Sequence, residues 1–285
     1  MTSAAEVDDA ISRTYVGLRL GMVVLAVLLF AGVAVQAVAF GCLQGSISAY
    51  YYTPARSVFV SALCAIGACL VVYRGNTTAE NALLNVAGFL VALVAFVPTR
   101  FGVDPRGCPS VDPADAGAVV VNGVLALVAA GVVALLVGAV QSRLTGLRPA
   151  PSSRWSFGAI ALLLAVVLGT FVGDREWFLR WAHGIAAGLF FALVLAVVQL
   201  NAAATAGRTR MSYRMFFWGP LAVGAVLTVA RLLDPGFRTY LFWLEAAGIA
   251  GFVGFWVTQT VELGGAVRRV QESGTDTGPP AVTNV

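Results

Sequence analysis

The chain contains no lysine; all 18 of its basic residues are arginine. That excludes Schiff-base chemistry of the kind retinal and pyridoxal phosphate need. There is one histidine, His183, which excludes membrane hydrolases that hold zinc with several histidines. The four cysteines are dispersed and form no Cys-x-x-Cys pair. Charged residues make up 11% of the chain, against about 25% in soluble domains. So small a supply excludes an ordinary soluble enzyme and a disordered chain alike. A phosphate-binding Gly-x-x-x-x-Gly-Lys loop, a His-Glu-x-x-His pair and a Gly-x-Ser-x-Gly elbow are all missing. No cofactor, no metal and no recognised catalysis is therefore expected.

What is abundant is apolar sequence, 59% of 285 residues. A spanning helix needs about 20 mostly apolar residues. Eight runs qualify or come close: 16–40, 57–73, 81–97, 116–140, 156–172, 177–200, 215–233 and 240–261. The expected fold is all-α, a polytopic transmembrane bundle of about eight spans in the cell membrane. The first run exceeds the 7–15 residues of a signal-peptide core and reads as an uncleaved helix. Residues 1–15 read as a short cytoplasmic lead-in, 16–263 as the bundle and 264–285 as a disordered cytoplasmic tail. With the N-terminus inside, inner segments hold eleven arginines and outer segments seven. This bias places both termini in the cytoplasm. The net charge of +4 then follows from loop arginines; with no basic, aromatic-interleaved stripe, nucleic acid is not an expected partner.

A faint internal echo is present. Arg100, Asp104, Pro105 and Arg106 follow the third run; Arg231, Asp234, Pro235 and Arg238 follow the seventh. Two parallel halves of four helices, split near 141–155, would produce it, as in some transporters. Asp-Pro is also a common turn.

The first outer loop holds Ser46, Ser48, three successive tyrosines (Tyr50, Tyr51, Tyr52), Pro54 and Arg56. Tyrosines at a membrane boundary anchor helix ends. Alternatively, Ser46, Ser48, Tyr50 and Tyr51 line an outer pocket in which Arg56 holds a phosphate headgroup. Ser46, Ile47 and Ser48, followed by Pro54, Arg56 and Phe59, resemble a stretch of uncharacterised bacterial multi-pass membrane proteins. More distantly, the stretch is similar to the first outer loop of the DRAM/Sfk-type family. That resemblance implies membrane-lipid organisation or trafficking and carries over no catalytic residue.

Cys42 and Cys108 both fall in outer loops, where an oxidising exterior permits a disulfide. Within the spans, Glu245 lies about 7–8 Å into the last helix. Arg231, at the end of the preceding helix, is its expected ion partner. Arg180 and His183 share a face at i, i+3, and Gln36 and Asn122 lie at similar depth. Converging, they would form an outward-open polar vestibule; separately, they are a register-fixing ion pair and snorkelling interface residues. At the inner side, Thr77 or Thr78 caps the third helix and Glu80 favours its dipole. Arg208, Arg210 and Arg214 set topology and meet anionic lipid.

Four readings stay open. One is a non-enzymatic protein binding a lipid or small amphiphile in the outer vestibule. Another is a secondary transporter or channel using Glu245. The third is a membrane-embedded enzyme acting on lipid, with an acid and a histidine as general acid and base. The fourth is a scaffold subunit with a protein partner in the membrane. A Ser/His/acid set from Ser46 or Ser48, His183 and Glu245 has no spacing in its favour.

Overall fold

The computed structural model describes residues 4–100, 108–110, 116–144 and 151–275. Regular structure among them is helical throughout: α1 (Ala4–Phe40), α2 (Arg56–Val72), α3 (Thr78–Phe96), α4 (Ala116–Leu144), α5 (Pro151–Gly173), α6 (Arg175–Ala204), α7 (Gly207–Leu233) and α8 (Tyr240–Thr275). A short 3-10 turn, Ser48–Tyr52, precedes α2.

Seven of these helices are long and apolar enough to cross a membrane. The exception is α2, whose 17 residues cover about 25 Å against a core of about 30 Å. It still joins the two ends of the bundle. The loop before it is tied to the Cys42–Cys108 region, and Tyr73, just after it, bonds Arg19 and Gln259 at the other end. The chain is thus a multi-pass helical membrane protein. Two expected boundaries shift. α1 begins at Ala4, so residues 4–15 belong to its first turns. α8 continues to Thr275, through the first part of the expected tail.

Consecutive helices pack against each other, as short connections between antiparallel spans require. α1, α2, α3, α6, α7 and α8 form a ring that closes where α8 meets α1. α4 and α5 make a hairpin on the outside of α3. The tightest crossing is α2 on α3. A Cβ on Gly67 would lie 2.7 Å from the Gly88 carbonyl oxygen, and one on Gly88 2.6 Å from that of Gly67. Only glycine at both positions allows this approach, the usual device of membrane helices that cannot rely on hydrophobic exclusion. Of the two Asp-Pro turns in the echo, 101–107 lies outside the described residues. At the other, Asp234 accepts the Gly236 N–H at 2.7 Å, which gives this Asp-Pro-Gly a purely local reason.

One end of the bundle is stapled. Cys42, just beyond α1, and Cys108 form a disulfide with Cα atoms 5.7 Å apart. Tyr52 Oη donates to the Thr99 carbonyl at 2.6 Å, and Gln44 Nε2 donates to Pro109 O at 3.0 Å. The bridge spans 66 positions, which in the chain-entropy account contributes about 4 kcal/mol. Cys42→Ser/Cys108→Ser protein is expected to melt well below wild type in a detergent thermal scan. Unchanged melting would show that the hydrogen bonds alone hold the loop.

Candidate functional site

Glu245 sits one turn into α8, at the disulfide end. Its partner is not Arg231. Oε2 accepts the backbone N–H of Ile47 at 2.6 Å and of Ser48 at 3.1 Å; Oε1 accepts the Ser48 hydroxyl at 3.0 Å. These donors form the start of the 3-10 turn, where free amides and partial positive charge favour a carboxylate. The carboxylate thus pins the 41–55 loop onto α8, assisted by the Phe242 N–H bond to Gly45 O at 3.0 Å. Arg231 instead lies over the Tyr240 ring, its Cζ 5.6 Å from the centroid.

Most of the other expected vestibule residues are engaged within this loop or point away from it, while Gln36 is buried in α1. Ser46, Ser48, Tyr50 and Tyr51 are buried. Ser46 Oγ accepts from Ala49 N, and Tyr50 Oη accepts from Gln44 N. Arg56 Nη2 donates to Tyr51 Oη at 2.6 Å and its guanidinium stacks 4.2 Å above that ring. Burial pushes the Tyr51 phenol up against the opposing pull of Arg56, and carries Tyr52 up to about 12. Arg180 is 42% exposed and pairs with Glu176 at 2.8 Å. Asn122 faces outward from α4. Among the described residues these side chains open no polar vestibule: the loop's backbone and hydroxyl groups satisfy one another, as buried polar groups must.

What forms beside it is an apolar cavity of about 380 Å³ between α6, α7 and α8. From α6 come Gly184, Ala187, Gly188, Phe191, Val194, Leu195 and Val198, the i, i+3, i+4 pattern of one helix face. α7 supplies Phe216, Pro220 and Leu221; α8 supplies Leu241, Leu244, Gly248 and Phe252. Polar lining is confined to Thr99, His183 and Glu245, at the disulfide end. His183 is buried, and its Nδ1 lies 2.6 Å from Val97 O. A carbonyl only accepts, so the hydrogen is on Nδ1, and Nε2 of the neutral ring is left as an acceptor. The Ser48 hydroxyl bonds Glu245 rather than His183, so no Ser–His–acid relay is assembled.

Two expected residues, His183 and Glu245, are thus brought to one cavity. The glycines that shape it were not singled out in the sequence. On Gly184 and Gly188 a Cβ would meet nothing within 4 Å, whereas on Gly248 it would lie 2.5 Å from the Phe191 ring. The usable signal was the i, i+4 spacing of Gly184 and Gly188 one residue past His183.

A second polar group of side chains, at the opposite end, also went unread. It contains Arg19, Tyr73, Glu80, Asn201 and Gln259.

The chain matches no protein family, no curated protein and no solved structure.

Proposed function

We propose that this chain is a non-catalytic multi-pass membrane protein that binds one lipid chain or small amphiphile in the cavity between α6, α7 and α8. The observation that carries this reading is the cavity's polarity: apolar along about four turns of α6 and polar only at the His183 end. Pockets for amphiphiles combine apolar walls with a few convergent polar groups. An acyl or isoprenoid chain fits the wall, and a hydroxyl near the head, donating to Nε2, fits the His183 ring. The termini lie in the cytoplasm on this reading, with the disulfide end outside.

Gly188→Leu tests it. The added side chain enters open space, so the fold is expected to be kept. Native mass spectrometry of wild type, purified gently from its own membranes, is expected to show a discrete adduct of lipid mass. The variant is expected to lose at least nine-tenths of it without a drop in melting temperature. An adduct retained equally by Gly188→Leu would remove the cavity as its site, and a stoichiometric second protein would favour the scaffold reading.

One observation favours transport as a second reading. A polar cavity of about 300 Å³ at the opposite end is lined by Leu200 and Asn201 of α6 and Gln259 of α8. Val198 and Phe252, the far wall of the apolar cavity, stand about one or two helical turns away. Trp256, fully buried, occupies the intervening level.

A further inference from the structure

The polar cavity at the Arg19 end is separate from the amphiphile site and shares no lining residue with it. Arg19 is a guanidinium inside the α1 span, 7% exposed. Among the described residues it has no carboxylate within ion-pair distance. Its Nε and Nη2 donate to Tyr73 Oη at 3.0 and 2.5 Å, and Nη1 donates to the Gln259 carbonyl at 2.6 Å. Three of its five N–H groups are engaged and two are not.

The neighbouring groups account for one another. Asn201 Oδ1 accepts from Gln259 Nε2 at 2.9 Å and Asn76 Nδ2 at 3.3 Å. Its Nδ2 donates to Glu80 Oε1 at 3.1 Å and Val197 O at 2.9 Å, so all four of its bonds are made. Glu80, 1% exposed, also takes the Asn76 N–H at 2.8 Å. Glu262 Oε2 takes the Tyr213 hydroxyl at 2.6 Å, while its Oε1 has no protein donor among the described residues. Arg19, Glu80, Asn201, Gln259 and Glu262 line one cavity of about 300 Å³.

A buried charge needs a partner, and here the protein keeps its own opposite charges off the cation. Two N–H groups of Arg19 and one oxygen of Glu262 have no protein partner among the described residues, and both residues line the same cavity. An anion alone would meet two carboxylates; a cation alone would meet Arg19. We propose that this cavity binds a small zwitterionic group, a phosphate or carboxylate on Arg19 and an ammonium on Glu262. Such a group comes either from an aminophospholipid headgroup or from a free amino-oxyacid in solution.

Full-length wild-type protein in detergent is titrated with phosphatidylethanolamine, with phosphatidylglycerol and with free O-phosphoethanolamine, and binding is read by native mass spectrometry and thermal shift. Retention of phosphatidylethanolamine at least tenfold over phosphatidylglycerol is expected if the headgroup is the ligand. Binding of O-phosphoethanolamine with weak phosphatidylethanolamine retention would assign the free solute. Arg19→Gln is expected to lose binding of whichever ligand is held. Glu262→Gln, whose amide oxygen still accepts from Tyr213, is expected to fold and to bind at least tenfold more weakly. It decides the matter should Arg19→Gln fail to fold. Binding of none of the three probes, equal retention of both lipids, or full affinity in Glu262→Gln would each overturn the assignment.

Discussion

Gly88→Leu is expected to eliminate most of the folded protein. The α2–α3 crossing is set by two glycines whose carbonyl oxygens each occupy the space of the other's missing side chain, at 2.6 and 2.7 Å. The obstacle is backbone, which no rotamer change relieves. To seat a leucine the two helices must move apart along their length, and α3 must also shift against α6. Overpacking a core costs about 1–3 kcal/mol when side chains give way; here the figure is expected to exceed about 3 kcal/mol. Fluorescence-detected size-exclusion yield and melting temperature check this, with Gly184→Ala as a control, since its Cβ meets nothing within 4 Å. A wild-type profile for Gly88→Leu would mean that the two helices do not meet at that distance.

Glu245→Ala and Glu245→Gln are expected to part company. Alanine leaves the Ile47 and Ser48 amides and the Ser48 hydroxyl without their acceptor. Each unmet buried group costs about 1–3 kcal/mol, so the loop is expected to detach from α8 and melting to fall by many degrees. Glutamine keeps an oxygen for the two amides and turns an N–H toward the hydroxyl, which can accept. Its melting is expected to stay near wild type. This variant then isolates the charge. A lipid adduct lost in Glu245→Gln at unchanged melting would show that the carboxylate also serves the cavity, and an adduct retained would confine it to holding the loop. Equal melting of alanine and wild type would sink the loop-pinning account.

Glu245 shows which part of the site was legible in the sequence. An ionisable residue inside an apolar run stands out, and it does lie at the cavity. Its partner was sought among arginines because opposite charge is visible in a sequence, whereas a pair of backbone amides at the start of a 3-10 turn is not. The number of helices was readable from hydropathy, because each run must be long enough to satisfy its own backbone in lipid. Arg19 entered the sequence reading only as one of the eleven inner arginines; with α1 starting at Ala4, it stands about 22 Å along the helix. Gly67 and Gly88 were indistinguishable from the other glycines of apolar runs, since only the partner helix reveals a close crossing.

The ring closes between its first helix and its last, and that has a consequence for biosynthesis. Arg19 and its acceptor at Gln259 are 240 positions apart. At a synthesis rate of about 5–20 residues per second, the acceptor emerges roughly 12–50 s after the guanidinium. Through that interval a permanently charged side chain sits in a helix that already has the length and apolarity to insert. Tyr73, 54 positions on, supplies two of the three bonds much sooner, and only the third waits for α8. A nascent chain halted before α8 is therefore expected to leave position 19 open to crosslinking by insertion machinery, and to lose that crosslink when synthesis resumes.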